Sequence, residues 1–232
     1  DLIIPCYNPP LHWQDYLIER VLAFANSVSN IQIRVVLVND GSASGVSFEH
    51  IELLRQTLPN FLYLTMPNNQ GKGAALRFGV SQSDADFCMF TDVDFPYTNQ
   101  SMVDVFNALQ SQNDVVVGYR SNDYYKNVPF LRRHISKLFR FVLKKLVKLK
   151  VDDTQCGLKG FGPMGKQVFL QTQTMRYLFD FEFVKSVSSS KSLHLIPVAV
   201  QLREGVMFTK MSLKVLLNEL NKFIRLLLKP TH

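Results

Sequence analysis

Short hydrophobic runs alternate with helix-length stretches along the first half of this chain, and two of the runs stop on carboxylates. Val35-Val36-Leu37-Val38-Asn39 gives way to Asp40-Gly41-Ser42, and Phe87-Cys88-Met89-Phe90-Thr91 gives way to Asp92-Val93-Asp94. A strand with so few polar positions belongs inside a parallel sheet, covered on both faces. Acidic residues at its end are poor core material and must face water, a metal or a ligand. In open α/β sheets that ligand lies in the crevice outside the carboxyl ends of the strands.

The order of elements supports such a sheet. Strands are expected at Leu2–Pro5, Ile33–Asn39, Phe61–Met66, Phe87–Thr91 and Asp114–Gly118. Helices are expected at Gln14–Val28, Phe48–Leu58, Gly71–Ser81 and Ser101–Gln110. Strands separated by helices of this length imply an α/β fold with a doubly wound, mostly parallel sheet flanked by helices. After Arg120 the pattern changes to a basic helix, an irregular Gly-rich stretch over Asp152–Gly165, a helix over Asp180–Ser188 and a strand over Leu193–Val200. No linker divides the chain, so residues 1–232 are expected to form one domain. Its nucleotide-binding part would be 1–120 and its acceptor-binding, membrane-apposed part 121–232.

The formal charge of +7 is concentrated: Arg132–Lys150 carries eight Lys/Arg and no Asp or Glu. Ile135, Leu138, Phe139, Val142, Leu143, Leu146, Val147 and Leu149 recur there at three- and four-residue intervals, describing a basic amphipathic helix. Ser212–Leu228 is a second amphipathic candidate. Such helices lie on anionic membrane surfaces, where each basic residue contributes on the order of 1 kcal/mol. A nucleic-acid partner is not expected, because the aromatic residues fall on the apolar side and form no stacking platform. No apolar segment approaches the roughly 18–20 residues that span a bilayer. The three cysteines, Cys6, Cys88 and Cys156, are scattered as free thiols, and the five histidines stand apart from the acidic motifs, which argues against zinc.

Asp92 and Asp94 supply the hard oxygen ligands that Mg2+ or Mn2+ takes together with substrate phosphates, although alternating Asp residues also occur in plain turns. Asp40-Gly41-Ser42 reads either as a turn or as a contact to a nucleotide's base or ribose, and Pro5-Cys6-Tyr7-Asn8 ends the first strand in the same way. Gly71-Lys72-Gly73 opens a helix whose N-terminus favours an anion, with Lys72 adding charge for a diphosphate. Asp153–Lys159 reads as a polar surface loop, and Asp180-Phe181-Glu182 as either a helix-start charge pair or a pocket lining. Arg120, Arg132, Arg133 and Arg203 are candidate phosphate clamps.

In this order the motifs resemble the family 2 glycosyltransferases of GT-A fold, and most of all those that act on polyprenyl (dolichyl-type) phosphates. The sequence Asp153-Thr154-Gln155-Cys156-Gly157, followed by Leu158 and Lys159, is similar to the dolichyl-phosphate glucosyltransferase branch. The resemblance implies inverting transfer of a hexose, glucose favoured, from a nucleotide sugar of the UDP-glucose or GDP-mannose type to a polyprenyl phosphate at the cytoplasmic face of a membrane. It implies that Pro5, Tyr7, Asn8, Asp40, Gly41, Ser42, Gly71, Lys72, Asp92 and Val93 surround the nucleotide sugar, with Asp92 and Asp94 holding Mg2+ or Mn2+. Asp180 and Glu182 would line the sugar pocket beside Gln155. Arg120, Arg133, Ser136 and Arg203 would receive the lipid phosphate, and Asp94, Arg120 and Gln155 would carry the chemistry.

A phosphate acceptor removes the need for a general base, since a phosphomonoester with a second pKa near ~6 is already largely dianionic at neutral pH. Two other readings stay open. One is a sugar or protein hydroxyl acceptor with Asp152 or Asp153 as base. The other is a basic membrane- or nucleic-acid-binding module whose nucleotide site is vestigial.

Overall fold

The alternation of strands and helices builds a seven-stranded sheet in the order β3-β2-β1-β4-β6-β5-β7. The computed structural model describes residues 1–120, 151, 153–176 and 178–206. The strands are β1 Leu2–Cys6, β2 Val35–Asn39, β3 Phe61–Thr65, β4 Cys88–Phe90, β5 Val115–Arg120, β6 Lys159–Phe161 and β7 Leu195–Val200. The described helices are α1 Trp13–Ser27, α2 Phe48–Thr57, α3 Lys72–Ser81, α4 Asn99–Gln110, α5 Pro163–Leu170 and α6 Phe179–Ser189. None of them is long and apolar enough to cross a membrane. Both amphipathic segments expected from sequence, with Arg132, Arg133 and Ser136, lie outside the described residues.

β1, β2, β3 and β4 pair in parallel, and β5 pairs in parallel with β7. β6 runs antiparallel between β4 and β5. The sequence pattern does not reveal this strand, or the helix α5 after it, inside the Gly-rich stretch. Lys159-Gly160-Phe161 has little strand propensity of its own. It is held by hydrogen bonding to a neighbour on each side, and Pro163 starts α5 at a position where a missing N–H costs nothing.

Period-two alternation distributes β1 between two cores. Leu2, Ile4 and Cys6 pack under α1, α2 and α4 with Trp13, Leu17, Phe24, Leu54 and Phe106. Ile3 faces the opposite layer with Val36, Val38, Leu76, Val80 and a group of phenylalanines. Phe161 stacks on Phe169 with centroids 5.0 Å apart, Phe183 meets Phe169 edge-on at 5.1 Å, and Phe90 touches Phe179 at 5.9 Å. Each such pair contributes about 0.5–1.5 kcal/mol beyond its buried area. This cluster fixes the end of β4 and the start of α6, directly beneath Asp92 and Asp180.

Because β1, β2 and β4 are parallel, their acidic and polar ends emerge at one edge. β6 is antiparallel, so its start at Lys159, together with Gly157, is delivered to that same edge. Residues 1–120 and the later segments β6 and β7 therefore share one sheet.

Candidate active site at the carboxyl edge

Two loops at the ends of β1 and β2 are fastened to each other. Asn8 accepts the amides of Ala43 and Ser44 at 2.9 and 3.2 Å and donates its own to the Ser42 hydroxyl at 3.0 Å. Asn39 accepts the Ser42 amide at 2.9 Å. Tyr7 stands 50% exposed beside this clasp, while Pro5 stays inside β1 opposite Val38. Asp40 is 2% exposed. It accepts from Gln70 N and Gly71 N at 2.8 Å each, and from Asn69 Nδ2 at 3.0 Å. The Asp40 carboxylate thus shapes the turn that leads into α3.

The glycines of Gly71-Lys72-Gly73 serve a different purpose from the one the sequence suggests. A Cβ on Gly71, whose φ is +110°, would lie 2.6 Å from the Met175 carbonyl oxygen, and one on Gly73 would lie 2.5 Å from that of Thr174. Ala74 N donates to Met175 O at 3.1 Å. The close approach these residues permit is used by the chain itself, and the first turn of α3 is partly capped. Lys72 alone reaches into the crevice, with Nζ 2.5 Å from Asp92 Oδ1. Burial pulls the Lys72 ammonium down, but Asp92, Asp180 and Asp94 outweigh it and leave a net upward shift.

Asp94 lies on the same turn. Burial and the Asp92 charge push its carboxyl above the usual range, more than Arg203 and Lys72 pull it back. Val93, between them, is half-buried at the margin of the α1/α2/α4 core. The turn closes through Phe95, a buried residue at φ +43°, in a backbone region unusual for a bulky side chain. Arg203 stabilises it: Nε donates to Phe95 O at 2.9 Å and Nη2 to Asp94 O at 3.1 Å. Expected as a phosphate clamp, Arg203 here braces the backbone behind the carboxylates.

The segment 153–159 overturns its reading as a surface loop. Asp153, Thr154, Cys156, Leu158 and Lys159 are each at most 1% exposed. Paired charge makes such burial tolerable. Asp153 accepts from Arg120 at Nε (2.7 Å), Nη2 (2.6 Å) and backbone N (2.8 Å). Lys159 donates to Asp180 and to the Cys156 carbonyl, and its Nζ lies 5.5 Å from the Phe90 ring centroid. Burial raises the Asp180 pKa despite the opposing pull of Lys159 and Lys72. Gly157 fits tightly against the acidic turn, since a Cβ there would lie 2.5 Å from Asp92 Oδ2. Gln155, two residues earlier, is half-buried.

Asp40, Gly71, Lys72, Asp92, Asp94, Gly157 and Asp180 are therefore brought into one charged cluster. Glu182 points elsewhere in its bonding: its carboxylate accepts the amides of Gln173 and Thr174 at 3.1 and 2.7 Å. Gly41 shapes the Asp40 turn at φ +65°. Tyr97 carries no sequence signal as a site residue, and Lys159 is marked only as the end of the Asp153–Lys159 motif, with nothing to show its pairing with Asp180.

The residues present fit a divalent cation. Asp92 and Asp94 offer oxygen donors alone from one turn, the Asp92 side chain is 37% exposed, and burial together with the neighbouring Asp92 charge raises the Asp94 pKa. Among the described residues no cluster of three or more His, Cys, Asp or Glu assembles there, so water and phosphate oxygens would complete the shell.

Residues 1–162 match the family described as Glycosyl transferase family 2. The chain belongs to that family. Its relatives include a dolichyl-phosphate beta-glucosyltransferase of Dictyostelium discoideum, 26% identical over 201 residues, covering 79% of this chain and 60% of the relative. A dolichyl-phosphate beta-glucosyltransferase of Drosophila melanogaster is 28% identical over 225 residues, covering 88% of this chain and 66% of the relative. The chain thus spans about three-fifths to two-thirds of these curated relatives, at 60% and 66%. Among solved structures, glucosyl-3-phosphoglycerate synthase from Mycobacterium tuberculosis in complex with Mn2+, UDP and glucosyl-3-phosphoglycerate superposes with a TM-score of 0.67. That match has 14% identity and covers 98% of this chain and 77% of that one. The family fold is GT-A, and the seven-stranded, mostly parallel sheet is its form here.

Proposed function

We propose that the protein is a metal-dependent, inverting hexosyltransferase that moves glucose from a nucleotide sugar to a polyprenyl (dolichyl-type) phosphate at the cytoplasmic face of a membrane. The observation that carries this reading is the convergence of Lys72, Asp92, Asp94 and Gly157 at one strand edge. Curated relatives that are dolichyl-phosphate beta-glucosyltransferases support the acceptor, and the Mn2+ and UDP-glucose complexes of the structural neighbour support the metal and donor class.

Asp92 and Asp94 would hold Mg2+ or Mn2+, which when bound neutralises the diphosphate leaving group. Lys72, paired with Asp92, would share that electrostatic work. Tyr7, half-exposed beyond the end of β1, would stack on the base, and the Asp40-braced turn would lie near it. Asp180, held by Lys159, sets the field around the sugar. No proton need be removed from a phosphate that is already dianionic, and Asp153 is committed to Arg120, which disfavours a hydroxyl acceptor with Asp153 as base. Arg120, together with Arg133 and Ser136, would receive the lipid phosphate.

A panel of nucleotide sugars offered with a short polyprenyl phosphate and Mn2+, with products read by mass, tests the reading. A glucosyl phosphopolyprenol that disappears with chelator is expected. Transfer only to hydroxyl acceptors, or no transfer with any donor, would overturn it.

A further inference from the structure

Tyr97 follows the acidic turn by three residues, and its ring is buried at 6% exposure. Its hydroxyl accepts the Gly157 amide at 2.9 Å and lies 3.3 Å from Cys156 Sγ. The Gly157 N–H belongs to the same peptide unit as the Cys156 carbonyl, which accepts from Lys159 Nζ. One peptide plane is therefore held from both ends by side chains, Gln155 precedes it, and Gly157 within it packs so closely on the acidic turn that a Cβ would lie 2.5 Å from Asp92 Oδ2.

Tyr97 is itself held firmly. Its backbone bridges Leu202, Thr98 N donates to Gln201 O at 3.0 Å, and Arg203 N donates to Pro96 O at 3.0 Å. Together with the Arg203 guanidinium on the Asp94 and Phe95 carbonyls, this ties the backbone of Tyr97 to the acidic turn. Burial keeps the phenol neutral, with a pKa well above its ordinary value.

We infer that Tyr97 is a positioning residue, which sets the register between the Gln155 loop and the Asp92/Asp94 turn through its hydrogen bond to the Gly157 amide. The inference rests on the transferase reading above and adds a residue to it. Tyr97 touches neither reactant; it acts through the Cys156–Gly157 peptide. Misplacement of a reacting group by about 1 Å costs on the order of 100-fold in rate, so loss of this one bond should appear in kcat.

The test is Tyr97→Phe, which retains the ring. The expected result is a kcat lowered about 10–100-fold, with UDP affinity in Mn2+ within about threefold of wild type. Amide exchange should rise in the peptide covering 153–158, and the melting temperature should fall by a few degrees, since the buried Gly157 amide is left unsatisfied. Gly157→Ala breaks the same register from the other side, by pressing a methyl on Asp92, and should lower kcat likewise even if Tyr97→Phe does not accumulate. Wild-type kcat in either variant would overturn the inference. So would a shifted melting temperature with unchanged kcat per folded molecule, which marks a purely structural role. A wild-type protein without Mn2+-dependent transfer would instead refute the transferase reading.

Discussion

Asp40→Asn tests how the entrance to α3 is built. The Asp40 carboxylate receives three donors, Gln70 N on one oxygen and Gly71 N with Asn69 Nδ2 on the other. An amide keeps one acceptor oxygen and turns an NH2 group toward the remaining donor. If the oxygen serves Gly71, Gln70 N loses its partner; if it serves Gln70, the buried Gly71 N does. Losing a charge-assisted bond and leaving a buried donor unsatisfied costs about 2–4 kcal/mol. In a chain of this size about 1 kcal/mol moves the melting temperature by about 2–4 °C, so a fall of roughly 4–16 °C is expected. Denaturant titration should show a lower midpoint at unchanged slope. UDP affinity should weaken as well, because Gly71 directs Lys72 into the crevice. Asn69→Ala, which removes one neutral donor, should cost no more than about 1 kcal/mol. An Asp40→Asn protein within about 0.5 kcal/mol of wild type would refute the bracing role.

Lys72→Met removes the ammonium that rests on Asp92 Oδ1 at 2.5 Å. Mn2+ binding without nucleotide, read by electron paramagnetic resonance, should tighten about tenfold, while turnover with Mn2+ and nucleotide sugar falls about 100-fold or more. Asp94→Asn removes a carboxyl whose pKa is raised by burial and by Asp92. The metal-free variant should melt higher than wild type near neutral pH, since ionising a group with a raised folded pKa lowers stability there. The same titration makes wild-type Mn2+ affinity fall with pH already above the ordinary carboxylate range of about 4, and calorimetry across pH 4–7 should show it. Lys159→Met leaves Asp180 buried without its ion partner and should destabilise by about 3–5 kcal/mol. That deficit should shrink as pH falls and Asp180 takes up a proton, and it should shrink in the double variant with Asp180→Asn, both read by thermal denaturation.

The parallel strands were legible because each is a self-contained apolar run with helix-length spacing. Asp92 and Asp94 were legible because an acid that closes such a run has little to meet there except solvent, a cation or a ligand. What escaped the sequence was the pairing of distant charges. Asp153 with Arg120, and Lys159 with Asp180, are joined by the fold alone, so a string of polar letters read as a surface loop and proved to be interior. Gly71 and Gly73 show the same ambiguity. Their spacing says that something approaches closely and cannot say whether it is a phosphate or the Met175 carbonyl. Tyr97 was invisible for the opposite reason: a tyrosine after a turn reads as core filler, and its value lies in one hydroxyl aimed at a peptide 60 residues away.

The antiparallel β6 has a consequence for synthesis on the ribosome. Both hydrogen-bonding neighbours of β5 are encoded after it, at Lys159–Phe161 and Leu195–Val200. As the nascent polypeptide emerges, Val115–Arg120 appears with two naked edges and a sequence rich in valine, the kind that recruits other chains. Cutting the gene after residue 120 to isolate a nucleotide-binding half would freeze that exposed intermediate, and its product should be found in inclusion bodies.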